Sequence, residues 1–217
     1  MTAKTEDPLP NVTASTSHED DIVRLPRRKI DKILVGFGLI AAIVFLVAGG
    51  LLTWGSTFSS DYVHDELASQ NVFFPDKAAL VKEGRDDLVS HAGEQVTSGK
   101  DAQVYAGYIS GHLEAIGEGK TFSQIDDRGA AAAVVEATKS GASDTEVAKL
   151  QATADELKTQ RDSLFRGETL RGLLLSTYAW SVIGTIAAIA AWVAFVGAVL
   201  MAGLTIAGAL HIKRHSA

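Results

Sequence analysis

The sequence contains no cysteine, which excludes a disulfide-bonded scaffold and any zinc or iron–sulfur site held by thiolates. Basic residues are fewer than acidic ones, 20 against 26, so the chain lacks the positive charge expected of a nucleic-acid-binding protein. Charge is also missing from two long stretches that hold most of the large apolar residues. Those two stretches decide the class of protein, because uncharged runs of this length are typical of membrane spans.

The first uncharged stretch, residues 33–52, is long enough to cross a membrane. Its 20 residues extend about 30 Å as a helix, which matches the hydrocarbon thickness of a bilayer. Lys32 precedes it, and Trp54 follows it at the position of an interfacial aromatic residue. A cleaved signal peptide is the alternative, but the run exceeds the usual apolar core of ~7–15 residues. We therefore expect an uncleaved transmembrane helix over residues 31–54.

The second uncharged stretch, residues 172–210, is longer than one membrane crossing requires. Its 39 residues would extend about 58 Å as a helix, of which only about 20–25 residues fit in lipid. Tyr178 and Trp180 in its first part suit an outer interface. A hairpin of two spans is the alternative, but no turn signal lies near residue 190. Residues 173–210 are therefore predicted to form an interfacial segment followed by a second transmembrane helix.

Flanking basic residues predict the orientation of both spans. By the positive-inside rule, both termini are expected in the cytoplasm of a two-pass plasma-membrane protein. Residues 1–30 form a cytoplasmic tail too polar to fold alone, and residues 211–217 form the second cytoplasmic tail. Residues 55–172 would then be extracytoplasmic, with a net charge of −8 from 12 basic and 20 acidic side chains. The flanking basic residues are Arg24, Arg27, Arg28, Lys29 and Lys32 before the first span, and Lys213 and Arg214 after the second.

The extracytoplasmic segment has the signals of a helical bundle. The first span is expected to continue to about residue 70, where a short extended stretch ending at Pro75 breaks it. Helices are predicted over 77–97 after Asp76, over 101–116 after Asp101, and over 123–139.

The strongest local signal is a capping box made by Ser143 and Glu146. A seam of apolar residues follows at three- and four-residue spacing, and no proline interrupts the chain from there to its end. We expect one long helix that runs from this box into the second span. The predicted fold class is all-α, with two transmembrane helices and an extracytoplasmic helical-bundle insert. The seam residues are Val147, Leu150, Ala154, Leu157 and Leu164.

Eight residues are candidates for membrane-interface or packing roles. The aromatic residues suit the interface, and the arginines would approach the outer leaflet, where local ion pairs are the alternative to lipid headgroups. The alanines recur every four residues, which permits close helix packing, although an alanine-rich helix without a partner would show the same pattern. The candidates are Trp54, Tyr178, Trp180, Arg166, Arg171, Ala190, Ala194 and Ala198.

No catalytic or cofactor-binding motif stands out in the sequence. The histidines between the two stretches are not spaced i, i+4 as in a helix-borne metal site, and the chain has no nucleophile motif. Gly119-Lys120-Thr121 lacks the upstream glycine of a phosphate-binding loop, because residue 114 is Glu. We therefore expect no enzyme activity, no cofactor and no metal. The histidines in question are His64, His91 and His112.

Three segments resemble small two-span membrane proteins of unknown function that are common in actinobacteria. They are LFRGETLRGLLL at 164–175, GKTF at 119–122 and QNVFFP at 70–75, and the likeness covers about residues 55–205. Members are often labelled aromatic ring-opening dioxygenases. That chemistry needs a metal centre with His and carboxylate ligands, or ferric iron with Tyr and His, and the residues here provide no such set.

These observations favour a non-enzymatic integral membrane protein whose extracytoplasmic helical domain interacts with other molecules. It would act as a structural or accessory subunit of an actinobacterial envelope or membrane complex. The expected partners are the lipid bilayer and either another membrane protein or a second copy, with no nucleic acid. The alternatives are a ligand-sensing ectodomain that acts through a partner, and an accessory subunit of a respiratory supercomplex.

Overall fold

Two long antiparallel helices dominate the fold. The computed structural model describes residues 27–214, and within them helix α1 spans Arg27–Ser69 and helix α5 spans Asp144–Arg214. Both are long and apolar enough to cross a membrane. The described residues contain α-helices and short 3₁₀ helices but no β-strand, so the all-α prediction is confirmed. The predicted disordered tail lies outside the described residues for 1–26, as do residues 215–217.

Helix α1 continues well beyond its apolar run and ends where the sequence predicts a break. Asn71 adopts a left-handed conformation with φ of 50°, which ends the helical path. The next residues are extended: the Phe74 amide donates to the Glu94 carbonyl at 2.9 Å, and the Val96 amide donates to the Val72 carbonyl at 2.9 Å. Phe74 is thereby buried beneath the helices.

The prediction of one helix over 77–97 is wrong beyond Lys82. Helix α2 spans only Lys77–Lys82, with Asp76 at its N-cap accepting the Ala79 amide at 2.8 Å. Gly84 then takes a φ of +70°, and a 3₁₀ helix follows at Asp86–His91. The apolar spacing is helical only locally, because residues 94–96 are needed to pair with 72–74.

Helices α3 and α4 form the rest of the insert, and both begin differently from the prediction. Helix α3 spans Gly99–Gly117, and its N-cap is Ser98, which forms a reciprocal capping box with Asp101. Asp101 is thus the third helical residue and not the cap. Helix α4 spans Asp127–Lys139 after an Asp126 cap, and the residues just before it form a short 3₁₀ turn.

Helix α5 is one unbroken helix of 71 residues, which confirms the predicted continuity from the capping box into the second apolar stretch. The Glu146 amide donates to the Ser143 hydroxyl at 3.3 Å. Glycines help α3 pack on α5, because a methyl group on Gly117 would lie 3.3 Å from the Leu164 side chain. Two cores form where these helices meet α1 and the connecting segments. The larger contains Val63, Leu67, Phe74, Val96, Ala102, Ala106 and Leu174, and the smaller contains Leu113, Ile125 and Leu164.

Candidate functional site

A seam of small residues joins the apolar halves of α1 and α5. A methyl group placed on Gly49 would lie 2.9 Å from the Phe195 ring, and one on Gly184 would lie 2.9 Å from the Ser59 hydroxyl. Such contacts bring the two backbones close together, which is how helices associate where lipid removes the hydrophobic driving force. The buried alanines that α5 contributes to this seam are Ala191, Ala194 and Ala198.

The three buried alanines of α5 are spaced by three and then four residues. The sequence pattern predicts a packing face with an alanine at every fourth residue. Ala194 and Ala198 lie in the seam, whereas Ala190 is half-buried beside it and Ala191 takes the inner position. The reason is geometric, because a repeat of four drifts around a helix that has 3.6 residues per turn. The packing face is therefore rotated slightly from the predicted stripe.

The two helices are in a register that aligns their basic ends. A methyl group on Gly208 would lie 2.9 Å from Val35, so the start of α1 lies beside the end of α5. Lys32 precedes Val35 by three residues, and Lys213 follows Gly208 by five. The charged residues that limit the two uncharged stretches therefore lie at similar height at one end of the pair.

At the other end of the pair, aromatic side chains form an exposed surface. Trp54 stacks on Phe58 with ring centroids 5.8 Å apart, and Phe58 stacks on Tyr62 at 6.0 Å. Phe58 and Tyr62 line a groove with a volume of about 560 Å³. Trp180 and Ile183 on α5 line the same groove. We call these five residues the aromatic surface. Each of its side chains is more than half exposed.

The aromatic surface extends beyond the predicted end of the first span. Tyr62 lies eight residues after Trp54, about 12 Å farther along the helix axis. Trp180 lies at the height of Ser59, because the Ser59 hydroxyl donates to the Trp180 carbonyl at 2.9 Å. The uncharged part of α1, residues 33–60, would extend about 42 Å against about 30 Å of hydrocarbon. Measured from the basic end of the helix pair, part of the aromatic surface therefore lies farther away than the thickness of one bilayer core.

The remaining predicted residues lie nearer the start of α5 than Trp180 does. Tyr178 is half-buried, and its Cα would lie 3.4 Å from a methyl group on Gly99, where α3 begins. The Arg171 guanidinium donates to Glu168 at 3.0 Å, whereas Arg166 is exposed. Tyr178 thus contributes to packing of the insert, and Arg171 takes part in a local ion pair.

A charged and aromatic cluster holds the loop after α2 against α3. The Tyr108 hydroxyl donates to Glu83 at 3.0 Å, and the Arg85 guanidinium lies 5.8 Å from the centre of the Tyr108 ring. Burial and the Glu83 hydrogen bond raise the pKa of Tyr108 to about 12. Arg85 also pairs with Asp87 at 2.9 Å, and that hydrogen bond lowers the pKa of the Asp87 carboxyl. This cluster stabilises a loop that has little regular structure of its own.

Sequence reasoning singled out Trp54 and Trp180 but missed the surface to which they belong. The i, i+4 spacing of Trp54, Phe58 and Tyr62 carries that signal, because residues at this spacing share one face of a helix. Nothing in the sequence alone places Trp180 and Ile183 beside them, since they lie more than a hundred residues away. Their proximity depends on the register of α1 against α5.

Comparisons of the chain with models of known families, with curated proteins and with solved structures found no match. Within the part of the chain that the structure describes, no three His, Cys, Asp or Glu side chains are grouped to hold a metal ion.

Proposed function

We propose that this protein is a non-enzymatic, two-pass membrane protein that binds a second membrane protein through its aromatic surface and helical ectodomain. In this proposal it is a structural or accessory subunit of an envelope complex. Helices α1 and α5 supply the two spans, both termini are cytoplasmic, and residues 55–172 are extracytoplasmic. The basic residues aligned at one end of the helix pair support this orientation, because cytoplasmic loops are enriched in Lys and Arg.

The observation that carries the proposal is the exposure of the aromatic surface, in which Phe58 and Tyr62 lie beyond the predicted end of the first span. Phe58, Tyr62 and Trp180 are 56–59% exposed. Contiguous exposed apolar groups at this scale are typical of surfaces that another protein covers. Aromatic residues are also enriched at such interfaces because each buries a large area with little loss of side-chain freedom. A second membrane protein alongside α1 and α5 would cover this surface both within and above the lipid.

The continuity of α5 supports a mechanical role for the same protein. Its 71 residues carry the second span, half of the small-residue seam and the packing surface for α3 and α4. No hinge separates the ectodomain from the membrane segment, so the ectodomain is held at a fixed height above the bilayer. A fixed height suits a subunit that positions another component of a complex.

Co-purification of the full-length protein in mild detergent tests this proposal. We expect a complex of defined stoichiometry that is lost when Phe58→Ser and Trp180→Ser are combined. Phe73→Ser is the matched control, because Phe73 is 51% exposed but lies outside the aromatic surface. If a second copy of the chain is the only partner found, the complex is a homo-oligomer. A protein that remains a monomer, or a complex unaffected by the double variant, would contradict the proposal.

A further inference from the structure

A polar pocket lies where α1, α5 and the start of α3 meet. Its volume is about 300 Å³, and hydroxyl groups contributed by all three segments line it. Close packing builds its wall, because a methyl group on Gly99 would collide with Ser181. The hydroxyl-bearing residues are Ser56, Ser60, Thr97, Ser98, Ser181 and Thr185, and we call this cavity the hydroxyl pocket.

Several of these hydroxyls are available to a ligand. Thr185 donates to the Ser181 carbonyl at 3.0 Å, and the Ser98 hydroxyl accepts the Asp101 amide at 3.2 Å. The side chains of Ser56, Ser60 and Ser181 have no hydrogen-bond partner among residues 27–214. Each hydroxyl can donate once and accept twice, so this wall can bind a group that itself both donates and accepts.

The charge around the hydroxyl pocket favours an uncharged ligand. Among residues 27–214, no Lys or Arg lines it, and His64 is its only titratable lining residue. The start of α3 already has an anion, because Asp101 accepts the amides of Thr97 at 3.3 Å and Ser98 at 2.9 Å. A phosphate at this helix end would meet that carboxylate, whereas the hydroxyls of a sugar or glycerol would not be repelled.

An apolar groove continues from the hydroxyl pocket toward the predicted span. It has a volume of about 470 Å³, and Ser56 and Ala188 line both cavities. From Ala188 the groove extends to Trp192 and Phe195, seven residues and about 10 Å nearer the basic end. The two cavities thus form one site whose hydroxyl-lined end lies toward the insert and whose apolar end, at Trp192 and Phe195, lies toward the basic end of the helix pair. This is the order of headgroup and acyl chain in a membrane lipid.

We propose that this joint site binds a membrane lipid with an uncharged polyol headgroup, such as a glycosyl diacylglycerol. The headgroup hydroxyls would bond to Ser56, Ser60 and Ser181, and one acyl chain would lie in the groove against Trp192. The inference rests on the proposed membrane placement of α1 and α5, but not on the proposed protein partner.

Fluorescence quenching of Trp192 tests the proposal in the full-length protein. Trp54→Phe and Trp180→Phe leave Trp192 as the only tryptophan of the three. The protein is placed in nanodiscs of phosphatidylcholine with a small fraction of one brominated lipid. We expect stronger quenching by brominated galactosyl diacylglycerol than by brominated phosphatidylcholine or phosphatidylglycerol at the same fraction. Free galactose should not compete, because it lacks the chain that occupies the groove.

Two variants separate a specific site from ordinary lipid contact. Ser60→Ala combined with Ser181→Ala should reduce the preference about tenfold, the effect expected from two lost hydrogen bonds. Ser176→Ala is the control, because Ser176 is exposed on α5 outside the pocket. Equal quenching by all three lipids, a preference for the anionic lipid, or competition by free galactose would overturn the proposal. Quenching by none of them would instead contradict the membrane placement.

Discussion

Gly38 of α1 lies directly against Thr205 of α5, so that a methyl group on Gly38 would lie 2.5 Å from the threonine hydroxyl. That hydroxyl is already fixed, because it donates to the Met201 carbonyl at 2.7 Å. The contact shows how little space separates the two long helices. The same closeness continues along the seam to Ala194 and Gly184.

A larger side chain in the seam should separate the helices without preventing membrane insertion. Ala194 is 7% exposed, so we expect Ala194→Leu to cost about 1–3 kcal/mol through overpacking. The measurement is disulfide formation between Val35→Cys and Gly208→Cys in a chain that has no other cysteine. Ile189→Leu is the control, because Ile189 is 61% exposed. If both variants cross-link at the same rate, the seam contributes nothing to helix association.

Removing the centre of the smaller core should destabilise the helical insert. Leu164 is 2% exposed, so Leu164→Ala is expected to lower the free energy of unfolding by about 2–5 kcal/mol. Denaturant unfolding of the full-length protein in detergent measures this change. Leu173→Ala makes the same chemical change at a position that is 62% exposed and should cost far less. Equal losses in the two variants would show that α3 and α5 are not packed as described.

The Tyr108 hydroxyl should make the stability of the helical insert sensitive to alkali. Its pKa is raised from 10.0 to about 12, so the folded state favours the neutral phenol. This contribution is fully present below pH 10 and is lost as the pH rises through about 12. Tyr108→Phe should remove both this loss of stability and the phenolate absorbance step near pH 12. A step near pH 12 that persists in Tyr108→Phe, or that disappears in Tyr62→Phe, would assign it to another residue.

The proposed orientation predicts where a reporter protein is active. A reporter that functions only outside the cytoplasm should be active when fused after Gly99 and silent when fused after Ala217. The reason is that the basic residues flanking both spans favour the cytoplasmic side. Activity after Ala217 would mean that residues 172–210 cross the membrane an even number of times.

Local signals in the sequence predicted much of the fold. The Asp76 cap and the box of Ser143 with Glu146 act over three residues, so they can be recognised without knowledge of the tertiary structure. The unbroken helix α5 follows from a long apolar pattern without proline. These features concern single helices, and single helices are where periodicity is most informative.

Features that depend on distant residues could not be predicted in the same way. Helix α2 stops early because residues 94–96 pair with 72–74, a contact that no local pattern encodes. Ala191 and not the predicted Ala190 lies in the seam, and this depends on the rotation of α5 against α1. The hydroxyl pocket also escaped notice, because its serines and threonines lie in three separate segments and are unremarkable in each.

In the proposed membrane placement, the continuity of α5 makes it a lever between the second span and the far end of the helical insert. Residues 144–171 precede the uncharged stretch and project about 42 Å beyond it. A change of about 10° in the tilt of the span, well within the range of membrane helices, would sweep that far end sideways by about 7–8 Å. Small changes in bilayer thickness would therefore be amplified into lateral displacement of α4 and the start of α5.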